Sequence, residues 1–136
     1  IAEAAVVGRE LTCAVYNNGK ENVALPVIEI ITENEFFDYE AKYNGHSREV
    51  CPAQIPEDKT LRMQQVAEDV FKALRMKNYA RMDFMMSTDG EMYCLEANTL
   101  PGMTPVSLLP QEAAAEGVGF PELYMNIIDI SLKKYN

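Results

Sequence analysis

The stretch from Tyr79 to Asn98 constrains the fold more than any other. Tyr79–Met86 and Glu91–Asn98 are rich in β-formers, and Ser87-Thr88-Asp89-Gly90 between them is turn chemistry. The pattern predicts an antiparallel hairpin. Side chains alternate along a strand, so Arg81 and Asp83 share one face, as do Glu96 and Asn98. A loop with an even number of residues, whether Asp89-Gly90 or all of Ser87 to Gly90, gives cross-strand partners of opposite sequence parity. All four polar residues then meet on one face, and Phe84, Tyr93, Leu95 and Ala97 take the other. Two carboxylates and an amide oxygen from adjacent strands are hard donors suited to Mg²⁺, and Arg81 beside them is placed to hold phosphate charge. The competing reading is a solvated sheet face on which Arg81 merely pairs with Glu96.

The remaining elements agree with an α+β domain. Glu10–Tyr16 and the β-branched run Ala24–Ile31 predict a second hairpin around Asn17-Asn18-Gly19-Lys20. From Thr32 to Ile55 regular periodicity is lost, which marks a functional loop in a domain this small. Leu61, Val66, Val70, Ala73 and Leu74 then fall on one helical face, with Met63, Ala67 and Phe71 beside them and Asp58 or Thr60 as the cap. A short Ala-rich helix is predicted from near Pro110 to Gly117, and a last helix from near Pro121 with Lys133 and Lys134 at its C-terminus.

Composition removes several classes of function. With 21 acidic against 12 basic residues, the formal charge of −9 leaves no cation excess for displacing counterions from nucleic acid. No apolar run reaches the roughly 18–20 residues that span a bilayer, and no leader pattern precedes the domain, so the expected location is the cytoplasm. Three dispersed cysteines (Cys13, Cys51 and Cys94) and a single histidine, His46, offer neither a disulfide framework, a zinc site nor a Ser-His-Asp triad. The opening Ile1-Ala2-Glu3-Ala4-Ala5-Val6-Val7 reads as entry into the middle of an element, so the chain is expected to be a fragment.

Five segments together carry a resemblance. They are Phe36-Phe37-Asp38-Tyr39-Glu40-Ala41-Lys42-Tyr43, Cys51-Pro52-Ala53, Tyr79-Ala80-Arg81-Met82-Asp83-Phe84, Leu95 through Thr104 (LEANTLPGMT), and Ser107-Leu108. In this order and spacing they resemble the D-alanine–D-alanine ligases of the ATP-grasp superfamily, from about Gly8 to the last helix. The resemblance implies the C-terminal lobe of an ATP-grasp fold, an antiparallel sheet with flanking helices. Residues 1–136 would be the C-terminal part of the catalytic domain, lacking the N-terminal domain and the upstream ATP-binding lobe.

The implied activity joins two D-alanines for peptidoglycan synthesis. ATP phosphorylates the carboxylate of the first, and the amine of the second attacks the acyl phosphate. Asp83, Glu96 and Asn98 match the ligands of two Mg²⁺ ions (Mn²⁺ as a substitute), with Glu96 bridging. Arg81 matches the arginine that steadies the acyl phosphate, and the Gly102 amide matches the donor to the developing oxyanion. Ser107 and the Leu108 amide match the group that binds the second substrate's carboxylate; the alternative for Ser107 is a helix cap. Lys42 and Tyr43 match a loop that closes over the phosphates, Lys42 toward ATP and Tyr43 toward substrate. Glu3 and Val6 align with the hinge at the adenine edge, and Glu10 with the carboxylate on the ribose. The family's partners are ATP and D-alanine, with no nucleic acid or membrane, and its members are commonly homodimers. The fragment alone is expected to bind Mg-ATP weakly and not to ligate. Two alternatives stand beside this reading: a D-alanine–D-lactate or D-serine ligase, and a non-catalytic binding module derived from the ATP-grasp fold.

Overall fold

A computed structural model describes residues 2–32 and 47–133. Among the described residues six strands form one antiparallel sheet: β1 (Gly8–Asn17), β2 (Asn22–Ala24), β3 (Ile28–Thr32), β4 (Ser47–Val50), β5 (Tyr79–Ser87) and β6 (Met92–Asn98). The order is β4-β3-β1-β5-β6, with β2 pairing β1 beside β3. Three helices complete it: α1 (Glu57–Ala73), α2 (Leu108–Ala115) and α3 (Phe120–Lys133). The two expected hairpins are therefore halves of a single sheet. They join through β1 and β5, which pair from Gly8↔Ser87 to Tyr16↔Tyr79.

Alternation along β1 divides the core in two. Leu11, Cys13 and Val15 face α1, packing with Ala80, Met82, Phe84 and Met86 of β5 against Met63, Ala67 and Phe71. Ala14 and Tyr16 face the other way, onto Leu109 and Ala113 of α2 and Leu123 and Ile127 of α3. On α1 the buried stripe is Met63–Ala67–Phe71, whereas Leu61 and Leu74, placed inside by the sequence pattern, are each 59% exposed. The helix begins after Pro56 with no side-chain cap, so neither Asp58 nor Thr60 caps it; Glu57 and Asp58 instead put negative charge at its N-terminal dipole.

Two departures in the sheet have local causes. The run Ala24–Ile31 does not form one strand, because Pro26 has no N–H to give the ladder and separates β2 from β3. The irregular stretch after Thr32 ends in a strand, β4, which adds to the edge of the sheet along β3. The turns follow the sequence: Gly19 and Gly90 hold φ of +93° and +86°, a region other residues rarely enter. Among the described residues no helix is long and apolar enough to cross a membrane.

Candidate functional site

The β5–β6 hairpin brings the four polar residues to one face by a route other than an even loop. Met86 lies opposite Met92, which leaves five residues, Ser87 to Glu91, between partners. With that odd count alone, Asp83 would face Leu95 or a gap. A β-bulge corrects it: Phe84 pairs with Cys94 but Asp83 pairs with Glu96, so Leu95 has no partner. Arg81 then lies opposite Asn98. The bulge also changes the second face. Ala97 packs on the α1 core as expected, but Tyr93 sits opposite Met85, on the polar side, and Leu95 is 55% exposed at the bulge.

Arg81 does not pair with Glu96. Its Nε donates to Asp83 Oδ1 at 2.8 Å and its Nη2 to Oδ2 at 2.9 Å, a bidentate clasp between residues two apart on one strand. A third donor comes from β1, where Thr12 lies directly opposite Asp83 and its hydroxyl donates to Oδ1 at 2.7 Å. Burial alone would push the Asp83 carboxyl up; the donors Arg81 and Thr12, with the Arg81 charge, outweigh it and hold the carboxyl below its usual range. Glu96 is exposed beside it, and Asn98 Oδ1 accepts the Leu100 N–H at 3.0 Å, which starts the chain turning after β6.

The chain after that turn carries the next group. Gly102 lies against Ser107 so closely that a Cβ there would come within 2.9 Å of the Ser107 hydroxyl oxygen. Ser107 occupies the N-cap position of α2, but its side chain caps nothing: Oγ accepts the Thr104 N–H at 3.0 Å and meets Thr104 Oγ1 at 2.8 Å. Leu108 opens the helix, and its N–H is among the first-turn donors that lack an intrahelical acceptor. Among the described residues no hydrogen bond joins this pair to the hairpin face.

The remaining expected residues are distributed as follows. Glu10 is half-buried on β1, on the Thr12 side of the sheet and opposite Met85. Glu3 is exposed and Val6 half-buried in the irregular segment before β1. Lys42 and Tyr43 lie outside the described residues. No group of three or more Asp, Glu, His or Cys side chains clusters as a metal cage among the described residues. The hairpin face offers two carboxylates and an amide, a donor set that leaves room for water and phosphate oxygens and so fits Mg²⁺ better than a closed cage would.

Sequence reasoning missed two residues at this face. Thr12 looked like an ordinary strand residue; only the β1–β5 register reveals it. Glu112 was read as part of an Ala-rich helix, yet it is fully buried, and its Oε2 accepts the Ala14 N–H at 2.7 Å, across from Arg81. Its Oε1 has no hydrogen-bond partner among the described residues. Burial pushes the Glu112 carboxyl well up, and the Ala14 N–H and the Arg81 charge offset this only in part. An acid at a helix position flanked by the buried Leu109 and Ala113 was the available signal. A cleft of 390 Å³ opens elsewhere, at the β5–β6 turn, lined in part by Arg9, Lys59 and Asp89; none of the expected site residues among the described ones reaches it.

One antiparallel sheet with helices on both faces, and an acidic hairpin turned toward α2, defines the C-terminal lobe of an ATP-grasp fold. Residues 1–129 match the family described as D-ala D-ala ligase C-terminus. The chain belongs to that family. It is 48% identical over 137 residues to a D-alanine–D-alanine ligase of Desulfotalea psychrophila, covering 98% of this chain and 42% of that protein. A D-alanine–D-alanine ligase from Bacillus anthracis complexed with ATP superposes with a TM-score of 0.77 at 36% identity, over 95% of this chain and 40% of that one. The VanG D-Ala:D-Ser ligase of Enterococcus faecalis does so with a TM-score of 0.81 at 31% identity, over 93% and 37%. The chain thus spans less than half the length of these relatives.

Proposed function

We propose that this chain supplies the cation, phosphate and acceptor groups of an ATP-dependent ligase that joins two D-alanines through an acyl phosphate, for peptidoglycan synthesis. The observation that carries the reading is the pairing of Asp83 with Glu96 and of Arg81 with Asn98 on one face, in a chain of this family. Asp83, Glu96 and Asn98 would hold Mg²⁺, two ions in this reading. Such ions neutralise triphosphate charge during phosphoryl transfer.

The chain's own groups do the rest. Arg81 places a permanent cation where negative charge gathers on the acyl phosphate and on the tetrahedral intermediate. The Gly102 N–H donates to the developing oxyanion. Ser107 and the Leu108 N–H bind the carboxylate of the second substrate, helped by the positive end of α2. Glu3, Val6 and Glu10 serve the nucleotide, and Lys42 and Tyr43 close over it. The expected cytoplasmic location and homodimer belong to this reading. In it, residues 1–136 are the C-terminal part of the catalytic domain.

The test replaces the matching segment of the Desulfotalea psychrophila ligase with residues 1–136 and follows ADP and dipeptide formation. D-alanine-dependent turnover that Asp83→Asn abolishes is the expected result; a folded chimera without turnover contradicts the reading. Offering D-serine and D-lactate as acceptors in the same assay decides substrate choice, and the likeness to a D-Ala:D-Ser ligase makes D-serine the acceptor to try first. The isolated chain is expected to bind Mg-ATP weakly and to release no phosphate on adding D-alanine; robust release would overturn that part.

A further inference from the structure

Thr12 is wholly buried in the middle of β1, where an apolar β-branched residue would serve the sheet equally well. It spends its hydroxyl on Asp83. That hydroxyl has one proton and two acceptors within reach, the Met82 carbonyl at 3.2 Å and Asp83 Oδ1 at 2.7 Å. The carboxylate is closer and charged, so the proton goes there.

Counting lone pairs on Asp83 gives this bond a consequence. A carboxylate offers about four acceptor sites, two on each oxygen. Oδ1 takes the Thr12 hydroxyl and Arg81 Nε, which fills it; among the described residues Oδ2 takes only Arg81 Nη2. Oδ2 is therefore the atom left to meet a cation. Arg81 has a second task in this reading, and wherever its guanidinium swings toward phosphate the carboxylate loses both of its bonds. Thr12 comes from a different strand and gives its one proton to the carboxylate in preference to the Met82 carbonyl.

We propose that Thr12 is a positioning residue for the cation site: it fixes the rotation of the Asp83 carboxylate so that Oδ2 is presented to the metal whether or not Arg81 is engaged elsewhere. This rests on the cation reading of Asp83, Glu96 and Asn98 given above. Hydrogen-bond partners of metal ligands commonly contribute about 10–100-fold in metal affinity.

Binding of Mn²⁺ alone to the 136-residue chain, read from loss of the free-ion EPR signal, tests it with four proteins: the unaltered chain, Thr12→Val, Thr12→Ser and Asp83→Asn. Valine keeps the shape and β-branching but loses the donor; serine keeps the donor. Asp83→Asn is expected to lose the binding, Thr12→Val to weaken it about tenfold or more, and Thr12→Ser to restore it to within about threefold. The metal-free melting temperatures of Thr12→Val and Thr12→Ser show whether a loss is a folding defect, and a loss in both variants alike overturns the proposal. So does Thr12→Val binding as tightly as the unaltered chain, which leaves the cation reading intact. No Mn²⁺ binding by the unaltered chain, or equal binding by Asp83→Asn, overturns the cation reading and this inference with it.

Discussion

The carboxyl of Glu112 takes the place of a missing strand: it accepts the Ala14 N–H at 2.7 Å at the point where the ladder along β1 is broken between β2 and β3. The Ala14 carbonyl on the same edge is still met, by the Leu25 N–H at 2.8 Å. A side chain from α2 thus completes the backbone bonding of the central strand at the residue directly opposite Arg81.

Removing that acceptor should be costly and replacing it should not. Glu112→Ala orphans a buried N–H and is expected to destabilise the chain by about 1–3 kcal/mol. Glu112→Gln keeps a carbonyl for Ala14 and should stay near the parent at about pH 4, where the parent's own carboxyl is protonated in the folded chain. Urea melts of the three proteins give the comparison.

The same residue sets a pH dependence. Its folded-state carboxyl is raised, so above the unfolded value of about 4.3 the folded chain binds more protons than the unfolded one. Stability from Glu112 is therefore full below that pH and is lost as pH rises toward the folded value. Glu112→Gln should remove this decline, so its stability relative to the parent grows as pH rises above about 4.3 toward the folded value. Parallel curves would show that Glu112 does not titrate differently on folding.

Asp83 runs the other way. Arg81 and Thr12 hold its carboxyl low, so its contribution is present above the unfolded value of about 3.9 and is lost as pH falls through the folded one. Arg81→Met should flatten the acid limb of the stability curve and cost about 2 kcal/mol at neutral pH, since both side chains are only 16–17% exposed. Melting temperatures between pH 2 and pH 7 would show it.

Gly102 and Ser107 should be coupled. A methyl group at position 102 meets the Ser107 hydroxyl at 2.9 Å, so Gly102→Ala is expected to destabilise the chain in the parent and much less in Ser107→Ala. A double-mutant cycle should give a coupling of about 1 kcal/mol. At Gly8, by contrast, the added Cβ meets the Met86 carbonyl oxygen at 2.0 Å, and backbone cannot step aside. Gly8→Ala should cost more than about 2 kcal/mol whatever the side-chain background.

The fold was largely legible because most of its signals are local. Alternation in Tyr79–Met86, the Gly19 and Gly90 turns and the Met63–Ala67–Phe71 spacing each report on their own few residues. What escaped was non-local. No residue type announces the bulge at Leu95, so the polar face was reached on the assumption of an even loop where the loop is odd and the bulge restores the parity. Leu61 lies about 160° round α1 from Met63, on the solvent side, and Leu74 falls just past the last helical residue, Ala73. Thr12 and Glu112 acquire their partners from residues 71 and 98 positions away, and nothing in the sequence fixes those pairings. The motifs named the hairpin residues; the register supplied what holds them.

The central claim is that Asp83, Glu96 and Asn98 hold a divalent cation beside nucleotide phosphate. Anomalous diffraction from crystals of the protein with Mn²⁺ and a non-hydrolysable ATP analogue tests it most directly. The account predicts a manganese peak about 2 Å from oxygens of Asp83 and Glu96, with phosphate oxygens completing the shell. A bound nucleotide with its manganese elsewhere, and Asp83 still bonded only to Arg81 and Thr12, would contradict it.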